Sequence, residues 1–113
     1  MLPRKYRLSE DAQIQKAKKE GRLYNQKDVS VLVLSNSLQT SRFGFVVSLK
    51  VSKRAVIRNR VKRILRKVVL DLLEKTCSGY DVLFLTKSSI QETNETEIAK
   101  QVESLFLQAK ILK

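Results

Sequence analysis

The chain contains no histidine and no tryptophan, a single cysteine (Cys77), a single proline (Pro3) and three glycines, Gly21, Gly44 and Gly79. Each shortage closes off a chemistry. Without histidine there is no imidazole base, no imidazole metal ligand and no Ser-His or Cys-His nucleophile pair. One cysteine excludes an internal disulfide and a thiolate zinc cage. The glycines are isolated, so none belongs to a Gly-rich phosphate loop. No apolar run approaches the roughly 18 residues of a membrane span, and residues 1–19 lack the apolar segment of a signal peptide. A reducing cytoplasm is the expected compartment. Carboxylates are missing between Asp28 and Asp71, which leaves no paired-carboxylate or two-metal site there.

What is present is positive charge. The 113 residues include 23 Lys and Arg against 11 Asp and Glu, a formal charge of +12. Apolar residues make up 42%, enough to bury a core, so the chain is not a disordered basic tail. Residues 1–67 carry 18 basic and 4 acidic side chains, whereas residues 68–113 carry 5 and 7. Nine of the cations fall within residues 50–67: Lys50, Lys53, Arg54, Arg58, Arg60, Lys62, Arg63, Arg66 and Lys67. Solvated faces normally mix signs, and this segment does not. Like charges so crowded raise the energy of the free protein, and a polyanion relieves them while releasing its own counterions.

The chain reads as one domain over residues 1–113, opening with a basic arm, residues 1–8. Ser9 is placed to cap a helix running to about Glu20, with Glu10 and Asp11 in its first turn and Gly21 at its end. Residues 29–34 are an apolar β-branched run and predict a strand. Residues 36–41 are a polar loop. Residues 43–51 alternate, with Phe43, Phe45, Val47, Leu49 and Val51 on one face, and predict a second strand. Residues 56–75 predict the longest helix. Ile57, Val61, Ile64, Leu65, Val68 and Leu72 form one apolar stripe, and Asn59, Arg60, Arg63, Arg66 and Lys67 lie on the opposite arc. Ser78-Gly79 breaks the chain before a buried strand at 80–86. The order strand, helix, strand suggests a crossover between parallel neighbours. Asn94 opens a last helix with Ile98, Val102, Leu105, Phe106 and Ala109 on one face. The order is αββαβα, with room for a further short strand near 23–33 or 32–45. The fold class is α+β, a single mixed sheet covered by helices.

Several motifs compete. Ser48 and Ser52 stand near Lys50 and Lys53, but short polar residues beside lysines arise readily by chance, and a Ser-Lys nucleophile gains nothing further from the sequence. Cys77 reads as an incidental thiol. Arg42-Phe43-Gly44-Phe45-Val46-Val47 approaches the aromatic strand motif of RNA-recognition domains, but it lacks the early glycine and the final aromatic. The core face of a strand accounts for it better. A basic DNA-binding helix needs a zipper that the chain does not have, since the helix ends near Lys75. A membrane- or calmodulin-type basic helix has no need of the adjoining strands. Arginine suits phosphate through two parallel hydrogen bonds, and Asn59 adds a neutral group able to read a 2′-hydroxyl or a base edge.

At these residues the chain resembles the bacterial ribonuclease P protein subunit family. The run from Lys50 to Arg63, with Arg58-Asn59-Arg60 followed by Lys62 and Arg63, is similar to the family signature. Leu2-Pro3-Arg4-Lys5-Tyr6-Arg7-Leu8 resembles the family's opening, Arg42-Phe43-Gly44-Phe45 its central strand and Asp81-Val82-Leu83-Phe84 its late strand. The chain departs from the family's usual pattern at Leu49, where a lysine is usual. It departs also at Ile14 and Lys18, where phenylalanines are common, and at Lys67, where an acid is common.

The resemblance implies a small α/β sandwich with a left-handed β-α-β crossover, of the kind seen in the second domain of a small-subunit ribosomal protein. It implies the auxiliary subunit of a ribonucleoprotein endonuclease that removes the 5′ leader of precursor tRNA. The implied partners are ribonuclease P RNA and precursor tRNA, with no membrane and no small-molecule substrate. Catalysis would belong to the RNA and its magnesium ions, with no catalytic residue or metal ligand from the protein. Arg58, Asn59, Arg60, Lys62, Arg63, Arg66 and Lys67 would contact RNA, extended by Lys50, Lys53 and Arg54. A cleft between the first helix and the sheet, with Ile14, Lys18, Phe43, Phe45 and Val47 as lining candidates, would guide the single-stranded leader. The competing readings are a structural RNA-binding protein, such as a ribosomal protein, and a protein-only nuclease.

Overall fold

The computed structural model describes residues 2–113. Helix α1 (Asp11–Glu20) leads into strands β1 (Arg22–Asn25), β2 (Val29–Ser35) and β3 (Arg42–Val46). Helix α2 (Ala55–Leu72), strand β4 (Tyr80–Thr86) and helix α3 (Glu95–Gln108) follow. Short 3-10 helices lie at Arg4–Tyr6, Leu73–Lys75 and Ser88–Glu92. The strands form one mixed sheet in the order β1-β2-β4-β3. β2 is antiparallel to both β1 and β4, whereas β3 runs parallel to β4. The β3-α2-β4 segment is therefore the crossover between parallel neighbours that its order suggested.

Strand alternation sends side chains to both faces, and both are covered. On one face Leu32 and Leu83 meet Leu8 and Ala17, flanked by Ile14, Val46 and Leu85, so α1 closes that side. On the other, Val29, Val31, Val33, Phe43, Val82 and Phe84 pack with Val61, Leu65 and Val68 of α2 and Ile98, Val102 and Phe106 of α3. The Phe43 ring lies 6.2 Å from that of Phe106, and Phe45 lies 5.1 Å from Phe84. At the head of the parallel pair, the Arg42 guanidinium donates twice to Asp81, at 2.8 and 2.7 Å, and Asn36 donates to the same carboxylate. That carboxylate raises the pKa of Arg42 through the hydrogen bond first and its charge second, against the opposing effect of burial.

Three local expectations change, and a fourth, the further short strand, is met. The strand at 43 ends at Val46 rather than Val51, where the Thr86 hydroxyl at the end of β4 bonds the Val46 carbonyl and the ladder runs out. Val47 and Val51 remain buried in the connection that follows, while Leu49 is 66% exposed. The further short strand is β1, pairing Leu23 with Leu32. Ser9 does not cap α1. Glu10 holds that position in an extended conformation without a side-chain bond, while Leu8 is drawn to β3. The basic arm is not free either: Leu2 and Leu8 are buried, Arg7 bridges Phe43 in parallel, and the Leu8 amide donates to the Phe43 carbonyl at 2.9 Å. Gly44 permits this approach, since a Cβ there would stand 2.8 Å from the Leu8 carbonyl oxygen.

Candidate nucleic-acid interface

Helix α2 arises where 18 residues keep an unbroken helical period with no glycine or proline. Val61, Leu65, Val68, Val69 and Leu72 anchor it on the sheet and α3. This burial fixes the rotation of the helix, and the rotation decides which cations reach water. Asn59, Arg60, Arg63, Arg66 and Lys67 are exposed, as the opposite arc predicted. With Val56 and Leu70 they line an open groove of about 670 Å³ along the outer side of the helix. Val56 is 74% exposed. The first turn carries no acidic residue, so the positive end of the helix dipole adds to the charge of Arg54 and Arg58.

The turn before α2 presents Lys50, Lys53 and Arg54 to solvent. It is bonded within itself and to the helix. The Lys50 amide donates to the Ser48 hydroxyl, the Arg54 amide to the Ser52 hydroxyl at 3.1 Å, and the Val51 amide to the Ser48 carbonyl. The half-buried Arg58 spends one guanidinium nitrogen on the Ser52 carbonyl at 2.9 Å. Arg58 is thus partly a brace for the turn. Arg60 donates to the Gln91 carbonyl at 2.9 Å, and Lys67 pairs with Glu95 at 3.2 Å. Lys62 is half-buried and turns away from the groove.

Arg66 borders both the groove and, with Lys62, a second cavity of about 330 Å³ at the β3 edge of the sheet. Its walls include Leu2, Arg7 and Leu8 of the arm, Ile14 of α1, and Phe43, Gly44 and Phe45 of β3. Three cations and no carboxylate border it. The Arg66 guanidinium carbon lies 6.0 Å from the centroid of the Phe45 ring.

This arrangement corrects the expected cleft. Of its five candidates, the edge cavity gathers Ile14, Phe43 and Phe45. Lys18 is exposed on α1, and Val47 is buried, neither on its wall. Phe43, Phe45 and Val47 project to the α2 and α3 side, because Gly44 and Val46 take the side that faces α1. Phe43 is 1% exposed and belongs to the core, which leaves Phe45 as the aromatic ring partly open to the cavity. Sequence reasoning did not single out Arg7, Gln91 or Glu95 as neighbours of the site. Arg7 lay within a recognised basic arm. Nothing local marks Gln91 or Glu95, whose partners are 28 to 40 residues away.

Among the described residues no group of three or more Cys, Asp or Glu side chains stands close enough to hold a metal ion. No helix is long and apolar enough to cross a membrane.

Comparison with known proteins agrees with the geometry. The model of the family described as Ribonuclease P matches residues 2–110. The ribonuclease P protein component of Microcystis aeruginosa is 30% identical over 98% of this chain and 96% of its own. That of Clostridioides difficile is 32% identical over 92% and 91%. Among solved structures, the Staphylococcus aureus RNase P protein superposes with a TM-score of 0.85 at 23% identity, covering 96% of this chain and 98% of that one. The RNase P protein from Thermotoga maritima gives 0.81 at 24%, covering 88% and 95%. A basic helix face on a helix-covered mixed sheet, the match over residues 2–110 and relatives alike along nearly their whole length lead to one assignment: the chain belongs to the family of ribonuclease P protein components, subunits of the endoribonuclease that processes the 5′ end of tRNA.

Proposed function

We propose that the outer face of α2 and the turn before it bind the RNA subunit of ribonuclease P. In this reading the cavity at the β3 edge receives the single-stranded 5′ leader of precursor tRNA. The observation that carries it is the five-residue arc Asn59, Arg60, Arg63, Arg66 and Lys67, exposed together on a helix that has no carboxylate before Asp71. Guanidinium groups grip phosphate oxygens in pairs, and Asn59 supplies donor and acceptor to a sugar or base edge. The edge cavity offers an unpaired nucleotide a ring face at Phe45, an apolar wall at Ile14 and cations at Arg7, Lys62 and Arg66. Stacking on one ring is worth about 1–3 kcal/mol per base, so this pocket suits one base at a time.

Magnesium belongs, in this reading, on the RNA. When bound there it would supply the charge stabilisation and the activated water of phosphodiester hydrolysis. The protein's part is to neutralise phosphates and lower the repulsion that opposes RNA folding, and to hold the leader in line.

The test is to free the purified protein of nucleic acid and incubate it with 5′-labelled precursor tRNA. Alone it should leave the substrate intact at every magnesium concentration. With ribonuclease P RNA added it should lower the magnesium needed for cleavage. Specific 5′ cleavage by the protein alone would overturn the division of labour. RNA recovered with the protein from its host should be one dominant long structured species. Recovery of ribosomal RNA alone would favour the structural RNA-binding reading.

A further inference from the structure

We infer that Gln91 is a positioning residue for the RNA face, an inference that rests on the reading of α2 and its preceding turn as that face. Gln91 touches both parts of it. Its side-chain amide donates to the Val51 carbonyl at 2.8 Å, and its own backbone carbonyl accepts the Arg60 guanidinium at 2.9 Å. Among the described residues, the bond to Val51 is the one hydrogen bond from outside the β3-to-α2 segment that reaches the turn. The turn carries Lys50, Lys53 and Arg54 on its exposed side.

Gln91 can serve as a fixed point because its own segment is held from beneath. The 3-10 helix Ser88–Glu92 is clasped to Asp28, which is 1% exposed. The Ser89 hydroxyl donates to one Asp28 oxygen at 2.6 Å. The Thr93 hydroxyl and the Gln101 amide donate to the other, at 2.8 and 2.7 Å. The Lys87 amide closes the clasp on the Asp28 carbonyl. A continuous path of hydrogen bonds therefore runs from the β1–β2 connection through Ser88–Glu92 to the turn and to Arg60. Long cationic side chains on a loose turn lose conformational freedom when they meet a polyanion, and that cost weakens binding. A turn already ordered by Gln91 avoids part of it.

Gln91→Met keeps the length and bulk of the side chain but has no donor for Val51. Gln91→Glu keeps it polar and replaces the donor with an acceptor. Both leave the backbone carbonyl that holds Arg60. Affinity of each folded variant for ribonuclease P RNA at fixed salt should fall three- to tenfold. In Gln91→Met, which leaves the charge of the face unchanged, the dependence of affinity on salt should keep the parent slope, because no phosphate contact is removed. Amide exchange at Val51 to Arg54 should speed up while the melting midpoint stays near the parent's.

Parent affinity in either variant overturns the inference, and so does weaker binding without faster exchange in the turn. Reversal of Arg60, Arg63 and Lys67 to Glu is the control for the underlying reading. Loss there with parent behaviour in the Gln91 variants sinks the inference alone, whereas no loss in either sinks both.

Discussion

Lys67 of α2 and Glu95 at the first turn of α3 meet at 3.2 Å with side chains 62% and 46% exposed, so the basic face is bordered by a carboxylate that competes for one of its cations. Exposed pairs of this kind contribute about 0.2–1 kcal/mol. Glu95→Gln should therefore change stability little and free Lys67 for phosphate. RNA affinity is expected to rise about two- to fivefold at low salt, measured by filter binding, with the gain shrinking as salt is raised. Unchanged affinity at low salt would mean that Lys67 lies outside the footprint.

The basic arc and the far helix should respond differently to charge reversal. Arg60, Arg63 and Lys67 lie on the groove, whereas Lys100 and Lys110 are exposed on and just after α3, within the half of the chain where acids outnumber bases. Reversing the arc triad to Glu should weaken RNA binding at least tenfold, which is about 1.4 kcal/mol or more. Reversing Lys100 and Lys110 should cost several-fold at most, through net charge alone. Circular dichroism should show both variants folded. Equal losses would reduce the effect to total charge and remove the assignment of α2.

If about five to eight cations neutralise phosphates, log affinity should fall against log salt with a slope of roughly −4 to −7. The arc triad variant should show a shallower slope than the parent. A parent slope near zero would remove the basic segment from the interface.

Asp28 links the fold to pH. Burial alone would raise its pKa, but hydrogen bonds from Ser89, Gln101 and Thr93, with the charge of Lys27, outweigh that and hold it below the ordinary value. A carboxyl with a lowered folded-state pKa contributes stability that is present above the unfolded value and is lost as pH falls through the folded one. The parent melting midpoint should therefore drop on acidification below the ordinary aspartate range. Asp28→Asn, which places an amide donor against donors, should cost about 1–3 kcal/mol at neutral pH and flatten that acid limb. Parallel acid limbs in the two proteins would show that other carboxylates govern it.

Helix α2 and its exposed arc were legible because 18 residues repeat one period, and a period fixes relative directions around an axis without any tertiary information. The same logic placed Phe43, Phe45 and Val47 together on one face of the strand expected from residue 43. It did not say which helices cover that face. With helices on both sides of the sheet the choice depends on packing, and Gly44 and Val46 took the α1 side. The end of β3 was illegible because it is set by Thr86, 40 residues on, and not by Val47 or Val51, which stay apolar and buried beyond it. Strand β1 has four residues and too little alternation to stand out. The clasp around Asp28 joins residues 61 to 73 positions apart, a separation over which neither pattern nor propensity carries a signal.

The seating of residues 2–8 along β3 also bears on how this chain behaves among copies of itself. A sheet ends safely only where its last strand has no bare ladder to offer a stranger. At one margin β1 is four residues long and begins with Arg22. At the other the Leu8 amide already occupies the Phe43 carbonyl, and Leu2 and Leu8 pin the arm in place. The opening residues thus act as a selvedge, finishing the weave of the sheet so that its β3 margin offers no bare ladder by which copies of this chain could join strand by strand.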